Sequence, residues 1–536
     1  MKKHLLMFVA AIVGFVGFAG SVIEWDSAKT TGNWSVGENW VGGIAPTALD
    51  AAKFTLNGAS WTVDIASEVS VTNLWVEGPG TLKLKMQEGA KVVVCGNMTT
   101  TAVYPTIGNG RQALYVFSEA NLIIDGGEVA SNGTGNYHDA QFTAGTSLVV
   151  TNGGTYAMST RAPGAGATNP SNDGKVVFRV TGVGSSLNLS AGQYRGTGCR
   201  YIAENGGRLL GPIAVNGTPK DMLVVVTNGS SYVAAKSSQN ITFNDNQRLV
   251  VTDNSSCTGF SKLLMSGVSG VPPLVLDGGS KYSGSNGLEL SNAEDLMFVM
   301  HDTDKSIETF KTTTVRWGTQ LCTNCTFMVT NAYAKISGYF TLGASGGSAT
   351  ANRSKDMKFI VAKDGYMMFT GNTQNLELGK HSDDDLFFVD DGVVEVTTDR
   401  DGQPTKIGAE DCTGTVFKLR GENAQFTSKA EIVFGNGATF ALELPLAKDR
   451  DLVKTTRAVT INDGTKFEIT VPEPVAEDAQ YTILTGKSIT GMIAPENIVV
   501  NGEAKATLAK SSDEKSQSLI LTLKPKTATG MIIIYR

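Results

Sequence analysis

One phrase recurs along the chain: three or four apolar residues, a polar corner, then a second short apolar run. It reads "NLIIDGGEV", "SLVVTNGGTYAM", "VFRVTGVGSSLNL", "MLVVVTNGSSYVA", "RLVVTDNSSCTGF", "PLVLDGGSKYSG", "TFMVTNAYAKIS", "KFIVAKDGYMMF", "LFFVDDGVVEV" and "VFKLRGENAQF". Nothing long carries apolar residues at i, i+3 and i+4, which excludes helical repeats. The residues before the corners are Ile124, Thr151, Thr181, Thr227, Thr252, Leu276, Thr330, Ala362, Val389 and Leu419. Seven of their nine intervals lie between 24 and 32 residues; the other two, 46 and 54, are near double, as if a rung lacked the phrase. A period of this size marks a stacked-repeat architecture, and four-stranded propeller blades, at roughly 40–50 residues, are too long for it. A coil of two or three short strands fits. One coil cannot bury its inward face alone, and stacking makes the core continuous. Asn and Asp suit the corners because they tolerate left-handed backbone and hydrogen-bond locally. The expected fold is all-β: a right-handed parallel β-helix, or β-solenoid, over residues 63–444.

The two ends have a different texture. Five of the six tryptophans (Trp25, Trp34, Trp40, Trp61 and Trp75) fall in the first 75 residues. Residues 20–62 therefore read as a Trp-rich cap, with Trp25, Trp34 and Trp40 closing the bare end of the stack and Pro46 and Asp50 supplying turn chemistry before the strand "AKFTL". The competing reading is an exposed aromatic surface that stacks on sugar rings. From 445 to 536 the strands lengthen and alternate with charged or proline-containing turns, which suggests a C-terminal antiparallel β-domain that caps the other end. Solenoid ends need covering because an open rung presents unpaired N–H and C=O groups.

Residues 1–19, "MKKHLLMFVAAIVGFVGFA", have the charged start, apolar stretch and small residues before a cleavage point that mark a secretory signal peptide. The apolar run is shorter than the ~20 residues of a membrane-spanning helix. No later stretch is long and apolar enough to span. The expected location is outside the cell or on its surface. Removing Lys2 and Lys3 with the signal takes the formal net charge from −6 to −8. That acidity, with no basic cluster, argues against nucleic acid as a partner. The 61 glycines sit in short groups between strands, as expected for many tight turns. The six cysteines are thinly spread, and only Cys322 and Cys325, in "CTNC", are close enough in sequence to suggest a disulfide.

Chemistry-bearing residues are sparse. There is no G-x-S-x-G, no H-E-x-x-H and no P-loop lysine motif, and the histidines left after signal removal are far apart. No cofactor is expected. The acidic run "HSDDDLFFVDDGVVEVTTDRDG" is the one candidate site. Asp385 and Asp391 could act with Arg400 on an acidic polysaccharide, while Asp383, Asp384 and Asp390 could hold calcium. Against this, Asp-Asp and Asp-Gly form turns, and "DDG" occupies the corner that elsewhere reads "TNG".

The segment from Trp25 through "GNWSVGENWVGGIAPTALDAAKF" resembles the opening of secreted bacterial β-helix proteins of the autotransporter-passenger type, at Trp25, Trp34, Trp40, Pro46, Asp50 and Phe54. "YTILTGKSITG" is similar to a phrase near the passenger end of such proteins. The resemblance covers about a tenth of the chain. It implies a pectate-lyase-like coil, a structural or adhesive surface role and no obligatory enzyme activity. It breaks at the C-terminus, where the last 90 or so residues are too few for the family's membrane β-barrel. The expected partner is an extracellular polysaccharide or another surface protein. The alternative is a lyase or glycoside hydrolase of the same shape.

Overall fold

The computed structural model describes residues 21–95, 112–131, 139–161, 176–189, 198–211, 221–234, 240–243, 247–267, 273–302, 308–319, 321–343, 353–370, 376–380, 382–398, 403–408 and 413–525. Among these the regular elements are β-strands and two short 3-10 turns, with no α-helix. Each coil contributes a strand to a first sheet, turns a corner into a second, and returns through a third where that strand is described. The first sheet is a parallel ladder of eighteen described strands, running from Thr31–Asn33 and Ser60–Ile65 to Lys466–Val471 and Ile498–Gly502. The second runs in parallel from Val69–Val71 to Ala479–Gly486. The third is formed by Val22–Glu24 through Ser159–Arg161, and again from Ile241–Phe243 to Ser488–Thr490. At Ser256–Ser266 and Lys281–Ser291 one eleven-residue strand bends across both the second and third faces. This is the parallel β-solenoid expected from the repeat. The two doubled intervals each hold a rung of the first sheet, Arg200–Glu204 and Met297–His301, and the first of these turns at a regular corner, Asn205-Gly206-Gly207.

In-line register puts equivalent side chains on top of one another at the ~4.8 Å strand spacing. The inward position of the first sheet becomes a column of Phe298, Phe327, Phe359, Phe387, Phe417, Phe440 and Phe467. Successive ring centroids lie 4.9, 5.2, 5.0, 5.5, 5.5 and 5.5 Å apart. Such ring pairs add ~0.5–1.5 kcal/mol each beyond the burial itself.

The corner phrase has a specific job. Asn152, Asn205, Asn228, Asp253, Asn331, Asp364 and Asp391 all have φ between 49° and 61°. That conformation turns the backbone so that corner N–H groups reach the carbonyl of the next coil, as with Asn331 N–H to Lys363 O (3.0 Å) and Asp391 N–H to Arg420 O (2.7 Å). At the following position a Cβ on Gly365 or Gly392 would come within 2.6 or 2.7 Å of the carbonyl oxygen of Val329 or Val361. Where serine stands there instead, its Oγ accepts a corner N–H, as Ser230 does from Gly206 at 3.1 Å.

At the N-terminus Trp25, Trp34 and Trp40 are at most 2 % exposed. Trp40 meets Trp25 and Trp34 edge-on, at 5.0 and 5.1 Å, and all three surround Phe54. Pro46 is buried beside this segment. The Asp50 carboxylate accepts from the Thr47 N–H and hydroxyl and from the Ser21 N–H, tying the described start of the chain to the turn. Burial raises the Asp50 carboxyl's affinity for its proton, but these hydrogen bonds outweigh it and hold the group below its usual value. The cap is not separate from the coil: Thr31–Asn33 and Ala51–Thr55 already pair in parallel with later rungs.

At the C-terminal end the boundary lies later than the expected 444/445. Residues 439–446, 466–471 and 498–502 continue the first sheet in parallel. The antiparallel part is a hairpin of Ala504–Ser512 and Gln517–Pro525, whose second strand pairs with Ala479–Gly486 and ends the ladder. Polar outward residues such as Glu443, Lys466 and Glu468 change the texture of these last coils without changing their pairing.

Candidate functional site

The acidic run does not assemble into one site. Asp383 is gripped by Arg353 (Nε 3.0 Å, Nη2 2.7 Å) and accepts from the Thr413 N–H and hydroxyl. Its burial would raise the pKa, and these partners lower it on balance. Asp384 takes the left-handed conformation of the preceding corner and pairs with Lys355 at 3.5 Å. Asp385 points inward and is fully buried. Its Oδ1 accepts from the Met357 N–H (3.0 Å) and the Ser382 hydroxyl (2.7 Å), while its Oδ2 has no hydrogen-bond partner. Burial pushes this carboxyl up to about 7, against those two hydrogen bonds.

Asp390 is the last residue of the strand Leu386–Asp390 that follows and is paired with Arg420, which also reaches Glu443 at 3.4 Å. Arg420 and Lys418 both lie over the Phe388 ring, at 5.0 and 5.1 Å. Asp391 is a left-handed corner residue whose carboxylate accepts the Asn423 N–H at 2.8 Å. Arg400 lies outside the described residues, as do His381, Asp399 and Asp401. Asp385 and Asp391 are six residues apart along extended backbone, roughly 20 Å at ~3.3 Å per residue. A glycosidase pair needs ~5–9.5 Å. Asp383 and Asp384 are kept from Asp390 by the same strand, and no group of three His, Cys, Asp or Glu suited to a metal ion occurs among the described residues.

Cys322 and Cys325, suggested as a disulfide, both lie buried in the core and carry thiols. Their thiols are in contact: a hydrogen bond to Cys322, then burial, raises the Cys325 thiol well above its ordinary range. A cleft of about 720 Å³ near the C-terminal end is lined by Glu422, Pro445, Lys448, Arg450 and Tyr481 among others.

Trp75 behaves differently from the plug tryptophans. It faces outward on the third sheet and is half-buried, with Tyr115 and Phe117 of the next rung at 5.8 and 5.7 Å. Lys53 lies 5.9 Å from the Trp75 ring and 2.7 Å from Glu77. The Thr55 hydroxyl is 2.6 Å from Glu24 and 2.9 Å from Glu77. Aromatic faces beside carboxylate, ammonium and hydroxyl groups form a surface suited to sugar rings, which bind through C–H faces and hydroxyls together. The early tryptophans thus divide between plug and surface by strand alternation. The outward position of Trp75 follows from its place between the inward Leu74 and Val76, a signal present in "NLWVE".

The sequence is matched by no protein-family model and by no curated protein.

Proposed function

We propose that this chain is an exported scaffold of the autotransporter-passenger kind, which stands at the cell surface or is secreted and presents its flat outer faces to polysaccharide or to another surface protein. The observation that carries the reading is the disposition of the acidic side chains: each aspartate of 383–391 is used by a corner, an ion pair or the core. The outward Trp75 patch supports a sugar-contacting role. The long aromatic core and the hydrogen-bonded corners support a stiff rod, which is what a spacer or adhesive module requires.

The test is a screen of the purified protein on polyuronates, sulfated and neutral polysaccharides, with and without calcium, scoring both retention and turnover. Retention without product, weakened in Trp75→Ala, is the expected result. Release of unsaturated or reducing ends would replace this reading with that of a lyase or hydrolase. Loss of that turnover in Glu77→Gln would then place its site beside Trp75.

A further inference from the structure

Apart from the Trp75 patch on the third sheet, the described surface carries one continuous aliphatic column on the outer face of the first sheet. Ile202, Val225, Val250, Val275, Val299, Met328 and Ile360 occupy the same outward position on seven successive rungs. Each is partly exposed. The column stops at charge on both sides: the preceding rung has Arg179, and the following one has Phe388 covered by Lys418 and Arg420. Water-facing rungs of a solenoid have no packing reason to be aliphatic seven times running, six times Val or Ile and once Met. A contiguous apolar strip of this kind marks a contact surface.

The margins of the strip are sorted by sign. Two residues before the column the charged side chains are Arg200, Arg248 and Lys358; two residues after it they are Glu204, Asp277 and Asp390. From the rung of Ile202 to that of Phe388 the first margin has no acidic residue and the second has no lysine or arginine. Some of these charges have partners on their own chain, as Glu204 has in Arg179 (3.5 Å) and Asp277 in His301 (2.9 Å). The sorting by side remains.

We propose that this face is the interface of a parallel homodimer, two copies packed sheet to sheet about a two-fold axis that runs along the solenoid. That axis lays the aliphatic column of one copy on that of the other and exchanges the margins, so Arg200 faces Glu204 of the partner copy on the same rung. A two-fold axis along the strands would instead set the basic margin against itself, which like-charge repulsion disfavours. Second copies fit the area as well. Seven rungs at ~4.8 Å and five residues' width with side chains give a strip of roughly 30 by 20 Å, about 600 Å² per copy. Counted on both copies this is about 1,200 Å², the lower edge of stable interfaces.

Light scattering coupled to gel filtration of the purified protein tests this. The wild type is expected at twice the chain mass, and Val250→Lys at the monomer mass with an unchanged circular-dichroism spectrum. Arg200→Glu and Glu204→Arg each place like charges opposite one another and are expected to weaken self-association roughly 10- to 100-fold. Mixing those two variants restores opposite charges across both margins, and a mixed dimer should re-form. Recovery on mixing cannot come from a folding defect. A monomeric wild type overturns the proposal and leaves the strip to a different partner; a wild-type dimer that Val250→Lys does not dissociate, or single variants that do not recover on mixing, overturns it equally.

Discussion

Replacing Asp385 with asparagine should stabilise the protein at neutral pH and leave it nearly unchanged in mild acid. The folded chain holds the Asp385 proton up to about 7, whereas an unfolded aspartate releases it near 3.8. Between these values folding must retain a proton that the unfolded chain gives up. The stability associated with the neutral carboxyl is therefore complete below about pH 4 and is lost as pH rises towards 7. Three units at ~1.36 kcal/mol per unit come to about 4 kcal/mol. Asparagine keeps an oxygen for the Met357 N–H and the Ser382 hydroxyl, has nearly the same volume, and never ionises. Asp50, Asp125, Asp383 and Glu443 have lowered values and pull the other way in acid, but they are common to both proteins and cancel in the difference. Denaturant midpoints of the two proteins at half-unit steps from pH 4 to 8, with hydrogen exchange at the Met357 amide, would read the gap. It should open by up to about 4 kcal/mol and flatten above pH 7. A gap that does not change with pH would refute the argument, because it would mean that Asp385 is ionised as readily inside the coil as outside it.

Three further outcomes follow from the packing. Phe359→Ala removes a ring held between Phe327 and Phe387, at 5.2 and 5.0 Å, and should cost about 3–5 kcal/mol in chemical denaturation. Trp40→Ala opens the plug at its centre; limited proteolysis should then cut within residues 21–60 well before the central coils, since a stacked repeat frays from an unprotected end. Cys322 and Cys325 should resist a maleimide in the native protein and react at once on unfolding, as followed by mass spectrometry, because both thiols are sealed in the core.

The repeat was legible because corner geometry is chemically demanding. A left-handed backbone selects Asn, Asp or Gly, so the phrase marks the rungs even where strand residues vary. The plug was legible for a similar reason, as few places other than a solenoid end accommodate three tryptophans in sixteen residues. Asp385 was harder. In "SDDDLFFVD" it looks like its two neighbours, and only alternation back from Phe387 and Val389 puts it on the inward side. The aliphatic face was hidden by the same logic. Runs such as "LVVV" and "FIVA" are apolar at every position, so alternation does not show in them that Leu223, Val225 and Ile360 face out. The last coils were misjudged because charge on their outer positions imitates a change of fold, although the inward residues Phe440, Phe467 and Ile469 keep the pattern. Convergence in space, which decides whether acidic residues make a catalytic site, is not a property of spacing in sequence.

The corners bear on how such a protein ages. Asn152, Asn205 and Asn228 are each followed by glycine, the pairing in which a side-chain amide is most readily attacked by the next backbone nitrogen and lost as ammonia. Here that nitrogen is already committed: Gly153 N–H to Ser185 Oγ at 3.0 Å, Gly206 N–H to Asn228 O at 3.0 Å, Gly229 N–H to Asp253 O at 2.9 Å. The carboxamide of Asn152 is held by Asp125 and that of Asn228 by Asn205 at 3.3 Å. The coil keeps these three perishable dipeptides in a hydrogen-bonded conformation that slows their decay, and it loses that protection rung by rung wherever the stack comes apart.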